Sequence, residues 1–340
     1  MIPGTTRRVV PAQNYRIRFY CRRGCEMDRE EQRMIAAELH YERGETMEAV
    51  ARRLNVSRST ISRLLAEARE SGLVQISLRR PPAQDEASRA IAERFGIEVY
   101  GVAVSEASEV ERLQRVTKVA ADLLMSNVDR KSGSKIGLAW GTTVNTLVRQ
   151  LKPLPVNALI VQLNGAANPS TTGIPLAGAT LTAAANAFSG SMMHFPVPAF
   201  FDHAATREAM WAERSIKRVL AAQDSIDIAV FSVGVFDAPV KSRVYSAGYL
   251  SAEDVQELVD AGVVGDVCTV MLRADGSYEG IELNERASGM APDRLRRIPE
   301  RICVCAGRAK AEGTLAAIRA GLVTKLVLDV ELAEAVVALI

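Results

Sequence analysis

The stretch VARRLNVSRSTISRLLAEARESG, residues 50–72, predicts a helix, a sharp break around Asn55 and a second helix. Thr46 precedes the first helix and Ser57 precedes the second, and both are residue types whose side chains cap helix N-termini. Gly72 favours the end of the second helix, because glycine readily adopts the left-handed conformation found there. Two helices joined in this way form either a packing hairpin or a helix-turn-helix, which places its second helix in the major groove of DNA.

The residues at the predicted helix crossing favour the helix-turn-helix. Close approach of the two helices requires small or apolar side chains, and six residues meet that requirement: Val50, Ala51, Leu54, Val56, Ile61 and Leu65. The exposed positions at the start of the second helix carry short hydroxyls, which can bond phosphates, and arginines, which can bond guanine through two N–H groups. The predicted DNA-binding residues are Ser57, Arg58, Ser59, Thr60, Ser62 and Arg63.

Charge is unevenly distributed along the chain. The 340 residues carry a net charge of +2, yet residues 1–80 contain 16 arginines against 10 acidic residues, which gives that segment +6 and the remainder −4. A basic segment on a mildly acidic body predicts a polyanion partner for the segment. We therefore expect the segment to bind double-stranded operator DNA.

Composition and breaks in the apolar pattern indicate the domain organisation. We expect residues 1–26 to be a disordered extension, with a basic arm that touches DNA as the alternative. We expect 27–80 to be a helix-turn-helix domain that ends in a wing-like strand at 73–78, 81–88 to be a linker, and 89–340 to be a second domain. No apolar run reaches membrane-spanning length, so we expect a cytoplasmic protein without a membrane partner. Five scattered cysteines indicate neither a disulfide framework nor a metal site.

After the predicted linker, near-continuous apolar strands alternate with helices. This pattern predicts an α/β domain with a Rossmann-like parallel sheet covered on both faces. The predicted strands are 99–104, 135–140, 158–164, 226–234, 302–307 and 325–330. The predicted helices are 85–95, 109–128, 143–151, 174–190, 205–222, 251–260, 308–320 and 330–338.

Ligands of such folds bind at the carboxyl ends of the strands. The segment GLAWGTTVNTLVRQL, residues 137–151, ends a predicted strand with a turn whose hydroxyls and N–H groups favour an anion, although an ordinary strand-to-helix turn is the alternative interpretation. Lys310 lies near a predicted helix N-terminus, where a cation is unfavourable unless an anionic ligand is present. The candidate ligand-binding residues are Gly141, Thr142, Thr143, Asn164, Gly165, Asp266, Gly307 and Lys310.

Six segments of the second domain share a wider similarity: GLAWGTT, FPVPAFFDHA, SIDIAVFSVG, SAGYLSAEDV, GVVGDVC and CAGRAKAEGTLAAIRAGLVTKLVLD. Together they resemble the SorC-type sugar-binding transcriptional regulators, especially the branch that contains the deoxyribonucleoside regulators of bacteria. The resemblance covers residues 30–340. It implies an N-terminal helix-turn-helix and a C-terminal domain akin to sugar-phosphate isomerases, in which 89–340 binds a phosphorylated sugar or polyol effector and forms homodimers or homotetramers. We accordingly expect a repressor of a carbohydrate catabolic operon that needs no cofactor.

The resemblance also assigns roles to individual positions. It places the effector phosphate at the 141–143 turn, with Lys310 facing the same anion and Asp266 bonding sugar hydroxyls. The sequence departs from the family at two positions. Asn164 stands where some relatives carry a lysine, so this position cannot form a Schiff base with an aldehyde. Arg273 stands where an acidic residue is common.

An enzyme is the alternative function, namely a sugar-phosphate isomerase with a DNA-binding appendage. Isomerisation requires a general base beside the substrate's C–H bond. Asp202, His203 and Asp266 could supply acid or base groups, but they form no compact cluster in the sequence. We therefore expect no catalytic residue, and turnover of pentose or hexose phosphates would distinguish the alternatives.

Overall fold

The computed structural model describes residues 28–74, 85–104, 107–128, 133–240 and 242–340. The described residues divide into two compact units, one that ends at Val74 and one that begins after the following gap. The predicted extension at 1–26 lies outside the described residues, as do positions 75–78 of the predicted wing and 81–84 of the predicted linker.

Three helices form the first unit: α1 (Arg29–Ala37), α2 (Met47–Leu54) and α3 (Arg58–Glu70), with a π-helical segment (Glu38–Glu42) that continues α1. Each helix begins at a cap, because the side chains of Asp28, Thr46 and Ser57 accept N–H groups from the first turn that follows. Asn55 ends α2 in the left-handed conformation, with φ 52°. Asparagine tolerates that conformation better than most residues, and the resulting turn leads directly into α3.

The apolar residues of the predicted crossing form the core of this unit. Val50 and Ile61 are fully buried, and Ala51 and Leu65 are nearly so. The partly buried Leu54 and Val56 pack against them. The predicted helix-turn-helix architecture is thereby confirmed.

A seven-stranded sheet lies at the centre of the second unit, in the order β1-β10-β9-β5-β2-β3-β4, and every neighbouring pair is parallel. Its strands are β1 (Glu98–Val102), β2 (Lys135–Leu138), β3 (Leu159–Gln162), β4 (Ser191–Met193), β5 (Ile228–Phe231), β9 (Glu300–Cys305) and β10 (Lys325–Asp329). A second, antiparallel sheet contains β6 (Val233–Gly234), β7 (Val263–Val267) and β8 (Val270–Arg273). The predicted parallel α/β domain is confirmed, but β4, β7 and β8 were not predicted.

Helices cover both faces of the large sheet. The helices in the described part of this unit are α4 (Glu86–Phe95), α5 (Glu109–Asn127), α6 (Thr142–Val148), α7 (Ile174–Ala187), α8 (Ala204–Ala212), α9 (Arg214–Gln223), α10 (Arg243–Ser246), α11 (Ala252–Asp260), α12 (Glu282–Arg286), α13 (Pro292–Leu295), α14 (Ala311–Arg319) and α15 (Val330–Val337). Alternate residues of β5 enter different apolar clusters, with Ile228 and Val230 in one and Ala229 and Phe231 in the other. This period of two is that of a strand buried on both sides. Across the ranges that the structure describes, no helix is long and apolar enough to cross a membrane.

Three predicted elements require correction. The single strand predicted at 226–234 is two strands, β5 and β6, which lie in different sheets. The single helix predicted at 205–222 is two helices, α8 and α9, because Glu213 between them has an extended backbone with ψ 141°. The predicted linker at 81–88 ends too late, since the side chain of Asp85 accepts the Ser88 N–H and starts α4. Residues 86–88 therefore belong to the first helical turn of the second unit.

A buried carboxylate connects β10 to the helices beside it. The side chain of Asp329 is completely buried and accepts hydrogen bonds from Arg112 at 2.9 Å, from the Gly307 N–H at 2.7 Å and from the Leu332 N–H at 3.1 Å. Arg112 also lies 3.0 Å from Glu331. This network fixes the turn after β9, which has φ 93° at Gly307 and leads to Lys310.

Replacement of Asp329 by alanine should strongly destabilise the second unit. The change leaves the buried Arg112 guanidinium and two N–H groups without their main acceptor, and breaking a buried ion pair costs about 3–5 kcal/mol. Urea unfolding of the full chain, followed by circular dichroism, measures the loss. The matched control is Asp122→Ala, which removes a half-exposed pair with Lys118 and should cost less than about 1 kcal/mol. Equal losses for the two variants would contradict the assigned role.

Candidate functional site

A group of hydroxyls marks the start of α3. Ser57 Oγ accepts the Thr60 N–H at 3.1 Å and lies 2.7 Å from Ser59 Oγ and 2.8 Å from Thr60 Oγ1. Ser57, Ser59 and Ser62 are exposed, and Thr60 is half-buried. The hydroxyls that the sequence predicts to contact DNA therefore lie close together on the accessible start of the helix.

The two predicted DNA-binding arginines differ in their surroundings. Arg58 Nε lies 2.6 Å from the Glu48 carboxylate of α2, and both side chains are exposed. Arg63 is exposed and makes no hydrogen bond or ion pair with another described residue. An exposed ion pair is worth less than about 1 kcal/mol, so Arg58 can exchange Glu48 for a phosphate or a base at little cost.

A pocket of about 570 Å³, measured with its opening to solvent, lies beside the carboxyl ends of β2 and β5. Six of the eight predicted ligand-binding residues line it: Gly141, Thr142, Thr143, Asn164, Asp266 and Lys310. Lys310 Nζ donates to the Val233 carbonyl at 2.9 Å and to Ser232 Oγ at 3.3 Å. Ser232 Oγ in turn donates to Thr143 Oγ1 at 3.4 Å. The chain fold thus brings Lys310 and the 141–143 turn to one end of the same pocket.

Two acceptor atoms in the pocket wall have no hydrogen-bond partner among the described residues. They are Asn164 Oδ1 and Asp266 Oδ1, on side chains that are 2% and 4% exposed. Buried polar atoms without partners are uncommon because each costs free energy. Both atoms line a pocket, where a ligand hydroxyl could donate to them.

The environment of Asp266 favours its protonated form. Burial raises the pKa of this carboxyl to about 6, against the opposing effects of the Thr269 N–H, the Tyr245 hydroxyl and the Lys310 ammonium group. The Thr269 N–H donates to Asp266 Oδ2 at 3.0 Å. Gly234 leaves the necessary space, because a Cβ at this position would collide with Asp266 Oδ1.

The other two predicted ligand-binding residues lie outside the pocket lining. The Gly165 N–H donates to Ser288 Oγ at 3.0 Å, and its carbonyl accepts from Trp140 Nε1 at 2.7 Å. A Cβ at Gly165 would collide with the backbone of residues 197–198, so glycine permits a close approach of two chain segments there. Gly307 donates to Asp329, as described above. Both glycines shape the pocket from behind its wall.

Several other residues singled out in the sequence also lie elsewhere. Asp202 and His203 are exposed and do not line the pocket. Arg273 donates to the carbonyls of Ala261 and Glu279, both at 2.9 Å, and so connects β8 to the turns around it. Within the described ranges, no group of three or more His, Cys, Asp or Glu side chains is arranged to hold a metal ion.

The polar or small pocket residues that the sequence prediction missed include Ser232, Gly234, Ser242 and Arg243. Ser232 and Gly234 lie within a predicted strand, and their place at its carboxyl end was an available signal. Ser242 and Arg243 begin a four-residue helix in a long connection. No local pattern there indicates a ligand.

A capped helix-turn-helix and a parallel α/β unit with a polar pocket are typical of ligand-responsive DNA-binding proteins. Comparison with known families agrees with this class. Residues 80–338 match the family described as "Putative sugar-binding domain", and residues 27–76 match a homeodomain-like domain. The chain therefore belongs to the SorC family of sugar-binding transcriptional regulators.

Individual relatives support the assignment. The deoxyribonucleoside regulator of Bacillus subtilis is 28% identical over 316 residues, which are 92% of this chain and 99% of the relative. A domain of a possible sugar-binding transcriptional regulator from Arthrobacter aurescens is 41% identical, with a TM-score of 0.70 over 77% of this chain and 100% of that domain. Full-length SorC from Klebsiella pneumoniae, the sorbitol operon regulator, shares the fold, with 24% identity and a TM-score of 0.66 over 90% of this chain and 99% of SorC. These relatives are regulators, and the chain is a DNA-binding transcriptional regulator rather than an enzyme.

The raised pKa of Asp266 should make the stability of the ligand-free protein depend on pH. The folded state keeps this proton to about pH 6, whereas the unfolded chain loses it near the ordinary value of 3.8. The contribution of Asp266 to the free energy of unfolding should therefore fall by about 3 kcal/mol as pH rises between these two values. Asp266→Asn should remove that fall and make the variant more stable than wild type at neutral pH.

Urea unfolding at several pH values measures this difference. Asp237→Asn is the control, because Asp237 is exposed and should give the wild-type profile. Parallel profiles for wild type and Asp266→Asn would show that Asp266 is ionised in the folded protein throughout this range.

Proposed function

We propose that this regulator represses a carbohydrate catabolic operon in the cytoplasm and that a phosphorylated sugar or polyol in the pocket controls its affinity for operator DNA. The observation that carries the proposal is the arrangement of donors and acceptors. The 141–143 turn and Lys310 offer hydroxyls, N–H groups and a positive charge at one end. In the adjoining wall, Asn164 and Asp266 offer acceptor atoms that no other described residue bonds. A phosphate fits the end formed by the turn and Lys310, and sugar hydroxyls fit the wall formed by Asn164 and Asp266.

The names of the relatives are consistent with this class of effector. Curated relatives include a deoxyribonucleoside regulator, a sorbitol operon regulator and an erythritol catabolism regulatory protein. Sugars and polyols share the hydroxyl groups that Asn164 and Asp266 could bind. A phosphate adds the charge that Lys310 favours, and charge-assisted hydrogen bonds are roughly twice as strong as neutral ones.

We further propose that the protein binds its operator as a homodimer or homotetramer. One helix-turn-helix reads only a short half-site, and specific binding requires two half-sites about one helical turn apart or a multiple of that distance. Light scattering on the full chain tests this proposal. A monomer at micromolar concentration that still binds a selected operator specifically would contradict it.

The DNA-binding assignment predicts that Arg58→Ala/Arg63→Ala loses operator binding. A base-reading arginine contributes about 1–3 kcal/mol, so the double variant should bind at least about tenfold more weakly at fixed salt. The operator is first selected from random duplexes with the wild-type protein, and binding is then measured by fluorescence anisotropy. Arg43→Ala is the control, because Arg43 pairs with Glu38 outside α3. Unchanged affinity in the double variant would exclude the start of α3 as the reading surface.

The effector assignment predicts that Thr143→Val and Lys310→Ala lose the effector response but keep operator binding. Each removes a group from the phosphate end of the pocket, and charge-assisted bonds contribute about 1.5–3 kcal/mol each. Effector affinity should therefore fall by about one to two orders of magnitude. Operator binding is measured with free sugars and with their phosphates, of which only the phosphates should act.

Two matched variants control for nonspecific damage. Thr146→Val removes a hydroxyl that bonds the Thr142 carbonyl on the same helix, and Arg308→Ala removes an exposed cation near Lys310 that does not line the pocket. Both should respond normally. Two results would show that the 141–143 turn has only a structural role: a free sugar that acts as well as its phosphate, or a normal response from Thr143→Val and Lys310→Ala.

A further inference from the structure

An acidic residue lies beside the surface that is proposed to read DNA. Glu48 is in the first turn of α2, and its carboxylate is 2.6 Å from Nε of Arg58 at the start of α3. The Glu48 side chain is 58% exposed and the Arg58 side chain 64% exposed, so both are accessible to a partner. Duplex DNA carries one negative charge per about 1.7 Å of its axis. A carboxylate on this surface therefore lowers the affinity for DNA unless it gains a compensating contact.

The helix-turn-helix unit is not basic overall. Residues 28–74 contain 8 arginines against 9 aspartates and glutamates, which gives a net charge of −1. The positive excess of residues 1–80 therefore comes from the sequence on either side of this unit. Five of the eight arginines form ion pairs with glutamates of the same unit. An arginine that leaves such a pair for a phosphate exposes the freed carboxylate to the same DNA.

Stabilisation of α2 is the simplest alternative role for Glu48. A carboxylate in the first turn of a helix interacts favourably with the helix dipole. The helix already has a cap, however, because the Thr46 side chain accepts the Ala49 N–H at 3.2 Å. Helix stabilisation also leaves the contact with Arg58 on the other helix unexplained. The two roles are distinguishable, because a purely stabilising residue does not change the preference for one DNA sequence over another.

DNA offers different replacements to the two members of this pair. A phosphate oxygen or the edge of a guanine can replace Glu48 as the acceptor for Arg58. The phosphates and deoxyriboses of a duplex carry no hydrogen-bond donor, so the DNA backbone offers Glu48 nothing. In the major groove the donors are the amino groups of cytosine and adenine, and carboxylates typically accept from cytosine N4. Only a base edge can therefore compensate Glu48 for the loss of Arg58.

We propose that Glu48 is a specificity-determining residue that accepts a hydrogen bond from the amino group of a cytosine in the operator. In DNA of unrelated sequence, Arg58 moves to a phosphate and Glu48 faces the DNA without a donor. Glu48 thus weakens binding to unrelated DNA and favours operators that place a cytosine beside it. The inference rests on the proposed function, because it assumes that the start of α3 faces the major groove.

Fluorescence anisotropy of the full chain with the selected operator and with a duplex of unrelated sequence tests the inference. Glu48→Ala should bind the unrelated duplex more tightly than wild type does, because a repulsive charge is removed. The ratio of operator affinity to unrelated affinity should fall by about tenfold or more. Glu70→Ala is the matched control, because Glu70 is an exposed glutamate at the other end of α3 and should leave the ratio unchanged. An unchanged ratio in Glu48→Ala overturns the inference.

Changes of single operator bases test the proposed hydrogen bond directly. At each C·G pair in turn, cytosine is replaced by 2-pyrimidinone, which lacks only the amino group. At one position the replacement should weaken wild-type binding by about fivefold or more and leave Glu48→Ala unaffected. The inference is wrong if wild type tolerates every replacement. It is also wrong if Glu48→Ala keeps the wild-type dependence at every position.

The same measurements separate this inference from the proposed function. If Arg58→Ala/Arg63→Ala loses operator binding while Glu48→Ala keeps the wild-type ratio, the DNA-binding assignment stands and the role of Glu48 is wrong. If the double variant and Glu48→Ala both bind like wild type, both assignments are wrong.

Discussion

The position of Lys310 at the pocket depends on the buried carboxylate of Asp329. This side chain accepts from Arg112 of α5, from the Leu332 N–H of α15 and from the Gly307 N–H after β9. It therefore connects two helices and one turn to the end of β10. The turn leads within three residues to Lys310, so the cation at the pocket is positioned by a network that has no direct contact with a ligand. Because the network is buried, solvent does not screen it.

The wall of the pocket is less well stabilised than the hydrogen-bond network around Asp329. Asn164 Oδ1 and Asp266 Oδ1 are buried and have no hydrogen-bond partner among the described residues, and burial raises the pKa of Asp266 to about 6. An apolar or fully bonded wall would make the ligand-free protein more stable. Asp266 and Asn164 keep acceptors in place before any ligand arrives, so a hydroxyl that reaches them gains hydrogen bonds without first displacing a protein partner.

Local signals explain which parts of this structure the sequence predicts. Thr46 and Ser57 cap helices through bonds within one turn, and each apolar strand of the parallel sheet is a continuous run of residues. The β7 strand escaped prediction because Gly265 and Asp266 interrupt its apolar pattern, and β8 escaped because its apolar run covers only three residues. The break at Glu213 has no glycine or proline to mark it. Such features depend on packing against distant parts of the chain.

The sequence predicted the pocket residues that lie at the carboxyl ends of strands. It did not predict those that lie on long connections between elements. The carboxyl ends of parallel strands meet at one edge, which is why Thr143, Asn164 and Lys310 could be grouped from the sequence. Ser242 and Arg243 reach the same pocket from a long connection whose path the sequence does not specify. Gly165, by contrast, was predicted to approach the ligand, but the close approach that it permits is to the backbone of another segment.

The two candidate binding surfaces differ in which interactions within the protein break when a partner binds. Arg58 exchanges an exposed pair with Glu48 for a DNA phosphate or base, and both interactions are screened by salt. Binding there should follow counterion release and depend steeply on ionic strength. At Asp266 and Asn164 no hydrogen bond within the protein has to break, because no described residue donates to Asp266 Oδ1 or Asn164 Oδ1. Their hydrogen bonds to an effector form in a buried wall. Effector selectivity should therefore come from buried hydrogen bonds that salt hardly weakens, whereas the affinity for DNA should come mainly from charges that salt does weaken.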